Sequence, residues 1–276
     1  LVAKLSGSKK IYKLLLGEAL LMILTLGIGG WLSNTDYPQN NKPNQNELVL
    51  SITGMNDPGK PNLHKLIWDY VPDGTFLGLL ILATLLYSKG VINLSKRGDK
   101  WPKGRLISWI IGVALADYAT SGGIGVYSHF TFGYHMLSHM ILGMVAPIFF
   151  VLSAPITLAL RTLPQGRDEN ERGIRGLLLS AMHSRYITTL SHPVVALFIF
   201  DGSLFALYLT PLFGHLMQGH TGHLFMDIHF ILTGALFYHV IIGVDPNPKK
   251  VPHIVRIIVL FAAMSIHAWF SITVLS

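Results

Sequence analysis

There is no cysteine anywhere in the 276 residues. That excludes thiolate zinc sites, iron–sulfur clusters, covalently attached c-type haem and disulfide exchange. Any metal must be held by histidine, methionine, carboxylate or backbone. Charge is scarce too: only 13% of residues are Asp, Glu, Lys or Arg, while 51% are hydrophobic. Such a balance describes a polytopic membrane protein, an all-α transmembrane bundle, and not a soluble domain. No internal repeat is evident. The glycine string SGGIGVY at 121–127 follows an apolar helix and no Lys-Ser/Thr comes after it, so it is not a phosphate loop. It reads as a helix ending at the outer interface.

What is present is a series of long apolar runs. Seven segments reach the length needed to cross about 30 Å of hydrocarbon. They lie near residues 11–32, 73–92, 105–127, 130–152, 193–213, 221–243 and 253–275. The fourth runs on toward residue 163, and Pro147 and Pro155 predict a kink or break in it. Eighteen of the 21 Lys and Arg fall in the N-terminal tail and the loops 88–105, 161–186 and 244–256, all on one side of an alternating seven-span arrangement. By the positive-inside rule that side is the cytoplasm. The N-terminus is then inside and the C-terminus outside, in a multi-pass protein of the bacterial cell membrane. The net charge of +7 is explained by orientation in the lipid bilayer, and no nucleic acid is implied.

Residues 33–46 are polar and rich in Asn and Pro, which reads as a linker. After it, 48–52 is short and apolar enough for a strand. The domains expected are a terminal span at 1–35, an outer linker at 36–72 and a six-span domain at 73–276. The chain opens on Leu1 with a basic tail feeding straight into a span, the look of a fragment or a processed chain. Ile174, Leu177, Leu178, Ala181 and Met182 alternate with Arg172, Arg175 and Arg185 in the pattern of an amphipathic helix at the cytoplasmic interface. The segment VDPNP at 244–248 is a turn signal.

The most informative feature is a pair of histidines one helical turn apart. His135 and His139 share a helix face inside the run YHMLSHMILGMVAPIFFVL, interleaved with Met136, Met140 and Met144. Intramembrane imidazoles are costly without a partner. Imidazole with thioether is a ligand set suited to copper, Cu(I) above all. Depth extends the argument. His139, His229 and His267 each stand nine or ten residues inside their span, roughly 13–15 Å below the outer boundary at 1.5 Å per residue. Met140, Met226 and Met264 stand beside them. The expected metal site is therefore His135, His139, His229, His267, Met140, Met226 and Met264, gathered from three helices. The competing reading is that each His bonds separately to a neighbouring helix, and it is preferred for His192 and His239. His215, His220 and His223 lie among glycines where metal can be taken up, or where a loop is merely exposed.

Four acidic residues fall within spans: Glu18, Asp117, Asp201 and Asp227. His223 and Asp227 are i, i+4, so the carboxylate can orient the imidazole. Asp117 and Asp201 lack a basic residue at their depth and are expected to be protonated or bonded to each other.

The strings YHMLSHMILGMVAPIFFVLSAPITLALRTLP (134–164), LFMDIHFILTGALFYHVIIGVDP (224–246) and LFAAMSIHAWF (260–270) resemble the polytopic CtaG family of cytochrome c oxidase assembly factors over roughly residues 73–276. The family's recurring histidines fall here on His135, His139, His229 and His267. The chain departs from the family pattern at Asp227 and His239. The first span, with Glu18, is similar to the last helix of a CopD copper-handling domain, as in CopD–CtaG fusions. The resemblance implies a non-enzymatic factor that handles copper at the outer face during assembly of a haem–copper oxidase of the respiratory chain, with cytochrome c oxidase subunits as partners. Alternatives from the residues themselves are a copper transporter or importer and a b-haem redox protein. A di-iron oxygenase fits less well.

Overall fold

The computed structural model describes residues 50, 55–165, 173–217, 220–247 and 251–275. Two compact units divide the chain, Leu1–Ser51 and Ile52–Ser276; every described residue except Leu50 belongs to the second. The first expected span with Glu18, the linker at 33–46 and, Leu50 apart, the run at 48–52 lie outside the described residues.

Within the second unit the described chain is helical, with one isolated bridge between Tyr70 and Gly122. In order the helices are α1 (Leu63–Trp68), α2 (Gly74–Lys96), α3 (Lys103–Ser121), α4 (Gly123–Ser128) and α5 (Phe132–Met140). A π turn, Ile141–Val145, leads into α6 (Ala146–Leu152) and α7 (Pro155–Thr162). Then come α8 (Ile174–Met182), α9 (Arg185–Leu190), α10 (Pro193–Tyr208), α11 (Leu212–Leu216), α12 (His220–Ile242) and α13 (His253–Leu275).

Four stretches among the described residues are long and apolar enough to cross a membrane: α2, the run Phe132–Thr162, α12 and α13. Two expected spans differ. Helix α10 is apolar but only 16 residues long. Helix α3 stops at Ser121, where Gly122 takes extended backbone (φ −75°, ψ −177°) and α4 starts anew. A Cβ on Gly123 or Gly125 would collide with the Leu66 or Thr120 backbone, so the glycine string serves close packing at the helix end. The amphipathic pattern at 174–182 does form a helix, α8.

Both prolines interrupt the long central segment. Pro147 has no N–H to give the Gly143 carbonyl, and the helix widens into the π turn just before it. At Pro155 the break is complete, with Ala154 left-handed at φ 52°. Asp245 closes that gap from 89 residues away. Its carboxylate accepts from Ile156 N at 3.2 Å and Thr157 N at 2.8 Å, capping α7. At the end of α12, Arg256 donates to the Ile241 and Ile242 carbonyls, which have no helical partner.

Close helix contacts position the later argument. A Cβ on Gly234 of α12 would strike the Gly143 carbonyl, so these two backbones meet without side chains between them. Around that contact Leu142, Ala146, Met226 and Phe230 are buried with Ala116, Ala119, Leu204 and Phe270. Ser138 donates to the Ala119 carbonyl at 2.7 Å, tying α5 to α3. These contacts fix α5 and the π turn against α12.

Candidate metal centre

Helix α5 carries His135 and His139 on one face, and α12 carries His223 and Asp227 on another, each pair at i, i+4. The two faces meet. Ring centroids of His135 lie 4.1 Å from His139 and 5.5 Å from His223. One ligand atom from each of the three histidines falls within 4.8 Å of the others. Asp227, wholly buried, stands between two of them: its oxygens are 3.4 Å from His139 Nε2 and 3.2 Å from His223 Nδ1. Tyr208, the last residue of α10, places its hydroxyl 2.8 Å from His139 Nδ1. Phe213 and Phe230 pack on the rings and keep the pocket apolar.

The ring nitrogens are the informative part. His135 is 1% exposed, yet neither of its nitrogens has a hydrogen-bond partner. His223 Nε2 is likewise buried without one, whereas both nitrogens of His139 face a partner, Nδ1 the Tyr208 hydroxyl and Nε2 the Asp227 carboxylate. Buried polar atoms are otherwise nearly always satisfied. Three buried histidines that bring one ring nitrogen each to within 4.8 Å, two of them with a nitrogen unsatisfied, could hold a metal ion. Two nitrogens on one small ion at about 2.0–2.1 Å lie no more than about 4 Å apart, so the 4.8 Å spread needs a contraction of under about 1 Å. With Nδ1 turned to Asp227, His223 offers Nε2, the usual carboxylate–histidine–metal order.

The other residues singled out in the sequence take different places. His267 Nδ1 sits 2.6 Å from Asp201 Oδ1, so Asp201 has its own basic partner. Asp117 accepts from the Tyr70 hydroxyl, and the expected Asp117–Asp201 pairing is replaced by these two separate contacts. His229 packs its ring against Phe225 and Phe230. Neither His229 nor His267 is in the three-histidine group. Met226 is buried in the core beside Leu142 and Phe230, Met264 is 59% exposed, and Met140 is 45% exposed. A cavity of about 30 Å³ gathers His139, His267, Met136, Met140 and Met144. It holds the imidazole–thioether combination expected from the sequence, next to the cluster but with His135 and His223 outside its lining. His223 was paired with Asp227 in the sequence but not placed with His135 and His139; Asp245 was read only as a turn. The i, i+4 spacing was the signal for the first, and nothing local marks the second.

The sequence profile of the family described as cytochrome c oxidase caa3 assembly factor (Caa3_CtaG) matches residues 85–276. An uncharacterized protein of Mycobacterium bovis is 39% identical over 223 residues, which is 81% of this chain and 34% of that protein. Uncharacterized proteins of Mycobacterium tuberculosis and Mycobacterium leprae match with the same identity and coverage. The chain thus spans about a third of the length of the curated relatives it matches. No solved structure matches.

Proposed function

The chain belongs to the cytochrome c oxidase caa3 assembly factor family, and we propose that within it the protein acts by holding a copper ion on His135, His139 and His223 as cargo for the oxidase. One observation carries this reading: three buried imidazoles converge, and His135 and His223 each have a buried ring nitrogen that no hydrogen bond uses. Imidazole suits copper, zinc, iron and nickel alike; the choice of copper rests on the family, whose oxidase is a haem–copper enzyme. Charge supports Cu(I) over Cu(II). With Asp227 as a carboxylate, a monovalent ion leaves the buried site neutral, whereas a divalent ion leaves one uncompensated charge there, which is expensive.

The ligand set is narrower than the sequence suggested. His229, His267 and the methionines stand outside it in this reading, so the preference for Cu(I) rests on charge and not on a thioether ligand. The protein carries no reaction of its own in this reading: it binds and releases, and the oxidase subunits are its partners. The CopD-like character of the first span belongs to the same proposal.

Topology completes it. Seven spans with the N-terminus in the cytoplasm and the C-terminus outside put Gly122, His129 and Thr221 at the outer end and Arg97, Arg161 and Asp245 at the inner end, in the bacterial plasma membrane. Reporter fusions after Ser276 and within 166–190 are expected on opposite sides of the membrane. Both in the cytoplasm would refute the arrangement. The binding claim is tested by metal analysis of the detergent-purified protein. About one copper per chain is expected, as for one three-nitrogen centre, and an equal copper content in His135→Ala rejects the site.

A further inference from the structure

A cavity of about 390 Å³ lies beside the histidine cluster, lined by Met55, Asp73, Thr75, Thr120, His129 and Thr221 among others. Its lining is the more polar one and includes no Lys or Arg. It therefore favours a cation. One wall is shared with the metal centre, because the His129 ring stands 4.7 Å from that of His223, tilted by 30°. His129 is also oriented. Its Nδ1 lies 2.9 Å from the Gly125 carbonyl oxygen, and a carbonyl can only accept. The proton is therefore on Nδ1, and Nε2 is the nitrogen through which this imidazole would take an ion, the order metal-ligating histidines adopt. Asp73 spends one oxygen, Oδ1, on the N-terminal amides of α2, Thr75 N and Phe76 N. Its charge stays at the cavity wall, and Met55 adds a thioether there.

We propose that this cavity is the passage by which the ion reaches and leaves the buried cluster, with His129 as a transfer ligand that exchanges it with His223. The inference rests on the copper-holding reading above. It adds a residue and a route. Transfer is ligand exchange alone: one nitrogen–metal bond forms as another breaks, with no electron moved. A stepwise chain, His129 to His223 to His135 and His139, keeps the ion on an imidazole at every step.

The absence of cysteine from these 276 residues makes the test clean, since Thr221→Cys introduces the sole thiol among them. In sealed right-side-out membrane vesicles this thiol is expected to react with a membrane-impermeant maleimide. Purified, labelled protein is then given Cu(I) from a water-soluble chelator, and uptake is followed in time beside the unlabelled protein and His129→Ala. Labelled protein and His129→Ala should load about ten-fold more slowly, the low end of the range over which on-rates vary among variants of one site, because one obstructs the passage and the other removes its transfer ligand, and reach the same final copper content. Equal loading rates, or a Thr221→Cys thiol that does not react, would overturn the passage while the three-histidine site stands. A lower final copper content in His129→Ala would overturn the transfer role by making His129 a resident ligand. If the unlabelled protein takes up no copper at all, the holding site fails and the passage fails with it.

Discussion

Among the described residues two groupings of histidine and aspartate lie in this bundle, and they differ in the ratio of imidazoles to carboxylates. His267 and Asp201 form a pair at 2.6 Å, and the same His267 Nδ1 also lies 3.3 Å from the Ala263 carbonyl of its own helix. The cluster of His135, His139, His223 and Asp227 has three imidazoles for one carboxylate, and the carboxylate contacts only two of them. His135 has both nitrogens buried and unbonded. One arrangement matches each basic group with an acid, as helix association in a membrane requires. The other carries a surplus of lone pairs at one point. Buried polarity alone does not mark a metal site; surplus at a shared point does.

The largest expected effect comes from removing a member of the surplus. His135→Ala should lower copper affinity by roughly a hundred-fold or more, because only two imidazoles remain to hold the ion. Equilibrium competition against a Cu(I) chelator measures it. His223→Ala should match it, since a site of three shared ligands loses similarly from either side.

Asp227→Asn should weaken binding by about 10- to 100-fold, the cost typical of a lost orienting partner, while one ion per chain still binds at saturation. An effect as large as that of His135→Ala would make Asp227 a ligand itself.

Gly234→Ala tests the helix contact that holds α5 and α12 together. The added methyl meets the Gly143 carbonyl, and overpacking of this kind costs about 1–3 kcal/mol. A lower melting temperature is expected with only a few-fold loss of copper affinity.

The smallest effect on copper is expected at the matched pair. His267→Ala should leave copper content unchanged, yet it strands Asp201 without its basic partner and should destabilise the fold by about 3–5 kcal/mol. Asp201→Asn in the same chain should recover part of that stability, because the uncompensated charge is gone. Loss of copper in a folded His267→Ala protein would erase the distinction between the two groupings.

How much of this was legible depends on whether the relation is local. The His135/His139 pair and the His223/Asp227 pair each lie within one helix turn, so spacing alone shows them. Their meeting is tertiary. The depth argument chose His229 and His267 by counting from span ends, and depth says nothing about face. At about 100° per residue, His229 is turned roughly 200° from Asp227, so the two cannot both look at α5. Met264 shows the same: it stands one turn from His267 in sequence but is 59% exposed. Pro147 and Pro155 announced a break in the long segment, and both delivered one. That a π turn stands ahead of the first, packed against Gly234, is recorded by no local pattern. Asp245 capping α7 from the far loop is likewise a matter of packing. The helical class and the helix α8 came from composition and periodicity, whereas the end of α3 at Ser121 came from the glycines. For α10, hydropathy overstated the length.

Copper K-edge absorption on the loaded, purified protein tests the central claim most directly. The account predicts two or three imidazole nitrogens at roughly 2.0–2.1 Å, the range for imidazole on a small metal ion, with outer-ring scattering and no sulfur, and loss of that pattern in His135→Ala. Sulfur in the first coordination sphere, or a spectrum identical in His135→Ala, would contradict it.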